Sequence, residues 1–221
     1  MLRLIQKNSF MFLLYQGLYY AIFFPLINRD RMFSENPLDL SFVFFLNTYM
    51  IWLILGSVWA QEQLENKSNA YAFLSTLPIR SRQIVGAKFA LVFLSVAVYV
   101  AVHLIWYALS FDDPEFIAAG RASLIHISSV CLVLAGLYYV GFFRFGYQRF
   151  VRFAVALWFL MVVSPLLVQI MLRERFGRNS GEIILAITRL NPAITLGVCV
   201  LLFLGTLALA IRCRENRKIW E

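Results

Sequence analysis

The side chains able to carry chemistry are few in this sequence, and their spacing argues against most reactions. His103 and His126 are the two histidines, each set inside a long apolar run. Cys131 and Cys199 also fall in apolar runs, while Cys213 lies in a basic tail. None of the three has a partner placed for a disulfide or for a metal-ligand pair. No GxxxxGK[ST] phosphate loop, no HExxH helix and no Ser-His-Asp grouping able to converge on one side is present. The acids and bases are crowded into short polar stretches. The richest holds Glu62, Glu65 and Lys67, then Arg80, Arg82 and Lys88.

The elements that must position these charges follow from composition. Hydrophobic residues form 61% of the 221 and charged residues 14%. A soluble domain of this size has no interior large enough for so much apolar surface, so the solvent must be a bilayer. A crossing helix needs roughly 20 mostly apolar residues. By that measure the chain reads as an all-α membrane protein, a single transmembrane domain of six helices with spans at about 9–27, 40–60, 84–110, 122–142, 153–172 and 192–211. The first apolar run ends in Ile27-Asn28-Arg29-Asp30 without a small-residue cleavage site, so it reads as a retained span. Asp39, Asp113-Pro114 and Asn191-Pro192 are helix-start signals, and Ser164-Pro165 predicts a kink. A short piece opened by Asp113-Pro114 is expected ahead of the fourth span.

Orientation comes from charge. Met1–Asn8, Gln61–Lys88, Phe143–Arg152 and Arg212–Glu221 together hold 13 Lys and Arg against 4 acids. The alternate segments, Asn28–Asp39, Phe111–Arg121 and Arg173–Asn191, hold 7 against 8. Cytoplasmic segments collect basic residues, so the first set and both termini face the cytoplasm of a cell membrane, as in a bacterial multi-pass protein. This also accounts for the net charge of +8 without nucleic acid.

The middles of the spans carry no Asp, Glu, Lys or Arg. An intramembrane enzyme or an ion-coupled transporter usually keeps such groups at membrane depth, where they cost ~3 kcal/mol or more. Asn47, His103 and Gln169 are the candidates for lining a substrate path, with His103 foremost. A lone intramembrane histidine more often bonds a neighbouring helix, and Ser and Thr in spans more often bond their own helix's carbonyls. Energy for any active transport therefore has to come from another chain.

Two connecting segments read as helical. Gln61–Ser75 carries Leu64, Tyr71 and Leu74 at helical spacing with Ala70 and Phe73 beside them, and Leu77-Pro78 ends it. Between the fifth and sixth spans, Ile183, Ile184, Ile187 and Leu190 form a stripe, an outer interfacial helix. The cytoplasmic run from Glu62 to Lys88 resembles the equivalent loop of the ABC-2 exporter permeases. That loop tends to run acidic-x-x-Glu-x-(Lys), a short amphipathic helix, then Leu-Pro-(Ile/Val)-Ser/Thr-Arg-x-x-(Ile/Val)-x-x-(Ala/Gly)-Lys. Arg80-Ser81-Arg82 departs from the usual Ser/Thr-Arg order.

The resemblance implies a permease subunit that dimerises with a second permease and sits on two copies of a separate ABC-type ATPase. ATP and Mg would bind that partner, with no cofactor on this chain. A coupling helix over about 62–76 would dock in the ATPase, with Tyr71, Phe73 and Leu74 as apolar anchors and Glu62, Glu65 and Lys67 fixing register. Leu77 and Pro78 would form a rigid joint, and Arg80, Arg82 and Lys88 would hold the next span at anionic lipid headgroups. The path would suit an amphipathic or lipid-like substrate, such as a peptide, a lipid-linked compound or a drug. The rival readings are a non-transporting membrane scaffold or sensor subunit and, further off, an intramembrane enzyme.

Overall fold

A computed structural model describes residues 40–67, 80–110, 114–146, 149–150 and 190–216. These form four helices: α1 (Leu40–Lys67), α2 (Ser81–Ser110), α3 (Pro114–Phe145) and α4 (Pro192–Asn216). Among the described residues no strand occurs. Among the described residues three stretches are long and apolar enough to cross a membrane: Ser81–Leu109, Ile117–Phe145 and Pro192–Asn216. The expected spans at 9–27 and 153–172, and the outer helix near 181–190, fall outside the described residues apart from its last residue, Leu190.

The helix ends follow local chemistry. Arg80 caps α2, its backbone N–H donating to Gln83 Oε1 at 3.1 Å while Gln83 N–H returns to the Arg80 carbonyl at 2.9 Å. The glutamine at the third helical position thus supplies the side-chain half of a capping box, while its own N–H closes a backbone turn on the Arg80 carbonyl. At α4, Ala193 N–H donates to Asn191 Oδ1 at 3.0 Å and Pro192 takes the first helical position, as the sequence predicts. Gly146 ends α3 with φ 78°, a left-handed conformation suited to glycine, and its N–H closes on the Phe142 carbonyl at 2.9 Å.

Two boundaries differ from expectation. The helix that holds the expected second span does not stop at Ala60 before a separate helix at Glu62; α1 runs on through Lys67. Gln61 to Lys67 offers good helix formers and no Gly or Pro, so nothing interrupts the backbone ladder. The short piece expected before the fourth span is likewise continuous with it. α3 runs unbroken from Pro114, since one glycine at Gly120 costs only about 1 kcal/mol in a helix of this length.

α3 is the centre of the described bundle, packed against α4, α1 and α2, and most extensively against α4. Phe89 of α2 sits between Tyr139 of α3 and Phe203 of α4, with ring centroids 5.5 and 5.1 Å away. Gly136 lets α3 and α4 approach closely. A Cβ there would collide with Thr206 Oγ1 and lie 3.2 Å from Phe203. Small residues serve membrane helix pairs in this way, since backbone proximity supplies the dispersion contact that lipid does not. The outward faces of α2 and α4 stay apolar, with Phe93, Leu94, Ile105, Leu201 and Leu202 all exposed, a surface for hydrocarbon.

Candidate functional site

The charged residues gather at one end of the bundle, where α1, α3 and α4 finish and α2 begins. The last turns of the three finishing helices carry Lys67, Arg144 and Arg214 respectively. Cations there offset the partial negative charge of the helix ends. Contacts between helices confirm the gathering. Arg82 of α2 meets Glu215 of α4 at 3.1 Å, and the Arg214 guanidinium lies 5.5 Å from the Phe143 ring centroid of α3. Three of the four segments assigned to the cytoplasm by charge are thus brought to the same end. The fourth, at the N-terminus, is outside the described residues.

Within this end lies a buried ion triad. Lys88 Nζ reaches Glu62 Oε1 at 2.5 Å and Glu65 Oε2 at 2.7 Å. The three residues are 5%, 0% and 7% exposed. Gln61 Nε2 donates to the second oxygen of Glu65 at 3.0 Å, so that carboxylate is satisfied at both atoms. Tyr139, itself buried on α3, lies within electrostatic reach of both glutamates. A single ammonium bridging two carboxylates ties α1 to α2 in a setting where water is excluded. There, removing the lysine leaves two carboxylates buried without their counter-charge.

The geometry places these side chains and leaves their coupling role untested. Glu62 and Glu65 face inward, buried in the bundle. Lys88 does not snorkel to headgroups but turns to the glutamates. The cause is register along the helices. Glu62 lies four residues after Val58 and seven after Leu55, both buried, and Lys88 lies four after Ile84 and four before Val92, both buried. All three charges continue core-facing stripes. That signal was present in the sequence and could have revealed the triad, had the apolar stripes been extended through the charged positions.

The remaining predicted site residues divide clearly. Lys67 and Arg80 are exposed, as is the neighbouring Leu64. Arg82 is exposed yet engaged with Glu215. Tyr71, Phe73, Leu74, Leu77 and Pro78 lie outside the described residues, and the structure leaves their coupling role untested. His103 is buried, its Nδ1 3.1 Å from the Tyr99 carbonyl of its own helix and its ring 3.8 Å from that of Tyr99. Asn47 belongs to α1 with its side chain outside the described set, and Gln169 is outside it altogether. A path lined by these three is therefore untested by the described residues. The bland reading of the hydroxyls holds at several positions: Ser57, Ser123, Ser129 and Thr206 each donate to a carbonyl three or four residues back, at 2.7–2.9 Å. Among the described residues no cluster of three His, Cys, Asp or Glu could hold a metal ion.

Comparison with curated proteins and with solved structures gave no match. Comparison with protein families gave one of broad extent: the family described as ABC-2 family transporter protein matches residues 2–212.

Proposed function

Because the chain belongs to the ABC-2 family of transporter proteins, we propose that it is the permease subunit of an exporter driven by a separate ABC-type ATPase. The observation that carries the reading is the extent of the family match, which spans residues 2–212. The gathered inner end supports it, since a membrane subunit that receives work from a soluble partner needs its helix ends joined where the partner docks. In this reading two copies of the chain, or this chain and a related permease, sit on two ATPase subunits that bind ATP and Mg. The assembly lies in a cell membrane with both termini cytoplasmic.

The contact with the ATPase falls to the exposed face of the segment that follows α1. Leu64 and Lys67 begin it, and Tyr71, Phe73 and Leu74 are its anchors, with Leu77, Pro78 and Arg80 leading into α2. Glu62 and Glu65 are internal supports of that segment and not its contacts. The aliphatic and aromatic walls of the helices suit an amphipathic or lipid-like cargo.

The test is co-expression with an ABC-type ATPase encoded beside this chain. The two should co-purify and hydrolyse ATP together, while the chain alone should not, because it has no phosphate-cradling loop. Turnover by the isolated chain, surviving controls for contaminating ATPase, would remove the permease reading. Replacing Tyr71 and Leu74 by Asp should release the ATPase, whereas Arg144→Gln with Arg149→Gln should leave it bound.

A further inference from the structure

From the buried bridge of Lys88 to Glu62 and Glu65, we infer that this triad is a clamp that makes the end of α1 and the start of α2 move as one piece. Lys88, Glu62 and Glu65 are positioning residues in this role. They touch no cargo, and they act by fixing where two spans stand relative to each other. What the movement serves rests on the permease reading; the clamp itself does not.

Glu65 and Lys88 are 23 residues apart, and the triad closes the intervening chain at its base. The segment assigned to partner contact therefore leaves and re-enters the bundle at one tied point. A push on an untied loop would be spent in rotating each helix end separately. With α1 and α2 joined by two short charge-assisted bonds, the same push displaces both spans together. Burial is what makes the tie firm, because an exposed pair is screened and exchanges with water. The exposed Arg82–Glu215 pair at the same end lacks this property, with side chains 73% and 41% accessible.

Two features separate a clamp from ordinary core packing. The charges lie at the base of a polar connection and not in the middle of the spans, where the described helices meet through apolar side chains. The second carboxylate is also more than one ammonium needs, and its presence extends the bridge over a full turn of α1, from Glu62 to Glu65. A hinge about a single bond is thereby removed.

The test measures the distance between spin labels on cysteines replacing Leu64 and Arg80, both exposed, in the full chain lacking Cys131, Cys199 and Cys213. With the triad intact a single narrow distance distribution is expected. Lys88→Met should broaden it. A neutral triple variant, Glu62→Gln with Glu65→Gln and Lys88→Met, leaves no buried charge and keeps the experiment readable if the single variant does not fold; it too should broaden the distribution. Exchanging the charges, Glu62→Lys with Lys88→Glu, should restore the narrow distance, which mere loss of packing would not allow. An unchanged distribution in both Lys88→Met and the neutral variant overturns the clamp, as does a folded charge-exchanged chain that stays broad. In a parallel arm the co-expressed ATPase is added with ATP and vanadate. Failure of the ATPase to bind the unaltered chain counts against the permease reading alone, since the distances decide the clamp by themselves.

Discussion

At one end the bundle is joined by charge, and beside and beyond that point the same helices are joined by shape. Lys88 meets two glutamates there, and Arg82 and Arg214 reach from one helix to the next. Beside Lys88, Phe89 lies among Tyr139 and Phe203, and beyond Tyr139 along α3 Gly136 admits Thr206. The two modes respond differently to force. Packed apolar surfaces have no preferred bond to break, and in lipid they gain nothing from exclusion of water, so they can slide. A buried ion bridge is directional and costly to disrupt. The contrast suggests where the molecule is stiff and where it can move: the helices are pinned at the charged end and free to re-pack along the apolar length.

The comparison can be broken most forcefully at Lys88. Lys88→Met strands two carboxylates in the interior, and it should destabilise the chain by about 3–5 kcal/mol in a denaturant titration in detergent. Neutralising all three residues should recover most of that loss, because paired charges add little net stability over apolar groups of similar volume. If Lys88→Met costs no more than a surface substitution, the triad is not buried as described.

The apolar length is probed at Gly136. Gly136→Ala forces a methyl against Thr206, and overpacking of this kind costs about 1–3 kcal/mol. Adding Thr206→Ala should return much of that loss, since it removes the hydroxyl that the new methyl meets. At the opposite end of the bundle, Asn191→Ala removes the side-chain cap of α4 and should cost about 1 kcal/mol. Arg82→Ala should have the smallest effect, at most about 1 kcal/mol and less at high salt, because the pair with Glu215 is exposed. Ranking the four variants by unfolding midpoint checks the whole series.

Much of this was legible before the fold. Asn191-Pro192 and Pro114 mark helix starts because a cap and a proline at the first position act through local geometry alone. The membrane class follows from apolar length, and the shared end of the basic segments follows from charge counting. The triad was harder to read. Glu62 and Glu65 look like surface residues by type, and only their place on the stripe through Leu55 and Val58 shows otherwise. Their partner is 23 residues or more away in sequence, and a pairing at that distance depends on how two helices are turned toward each other. The continuity of α1 past Ala60 was masked by the change from apolar to polar composition, which alters solvation but not helix propensity. The close approach at Gly136 leaves no trace in composition at all, since it needs the opposing Thr206 to be known.

Coupling to an ATPase requires that the charged end face the cytoplasm, the only side from which that partner can reach it. Single cysteines replacing Lys67, Arg149 and Leu190, each exposed, report this in intact cells when Cys131, Cys199 and Cys213 are removed. A membrane-impermeant maleimide should label position 190 directly and positions 67 and 149 only after permeabilisation. Labelling of 67 and 149 in intact cells with 190 protected would place the clamp outside, and would contradict both the orientation and the coupling of this chain to a cytoplasmic ATPase.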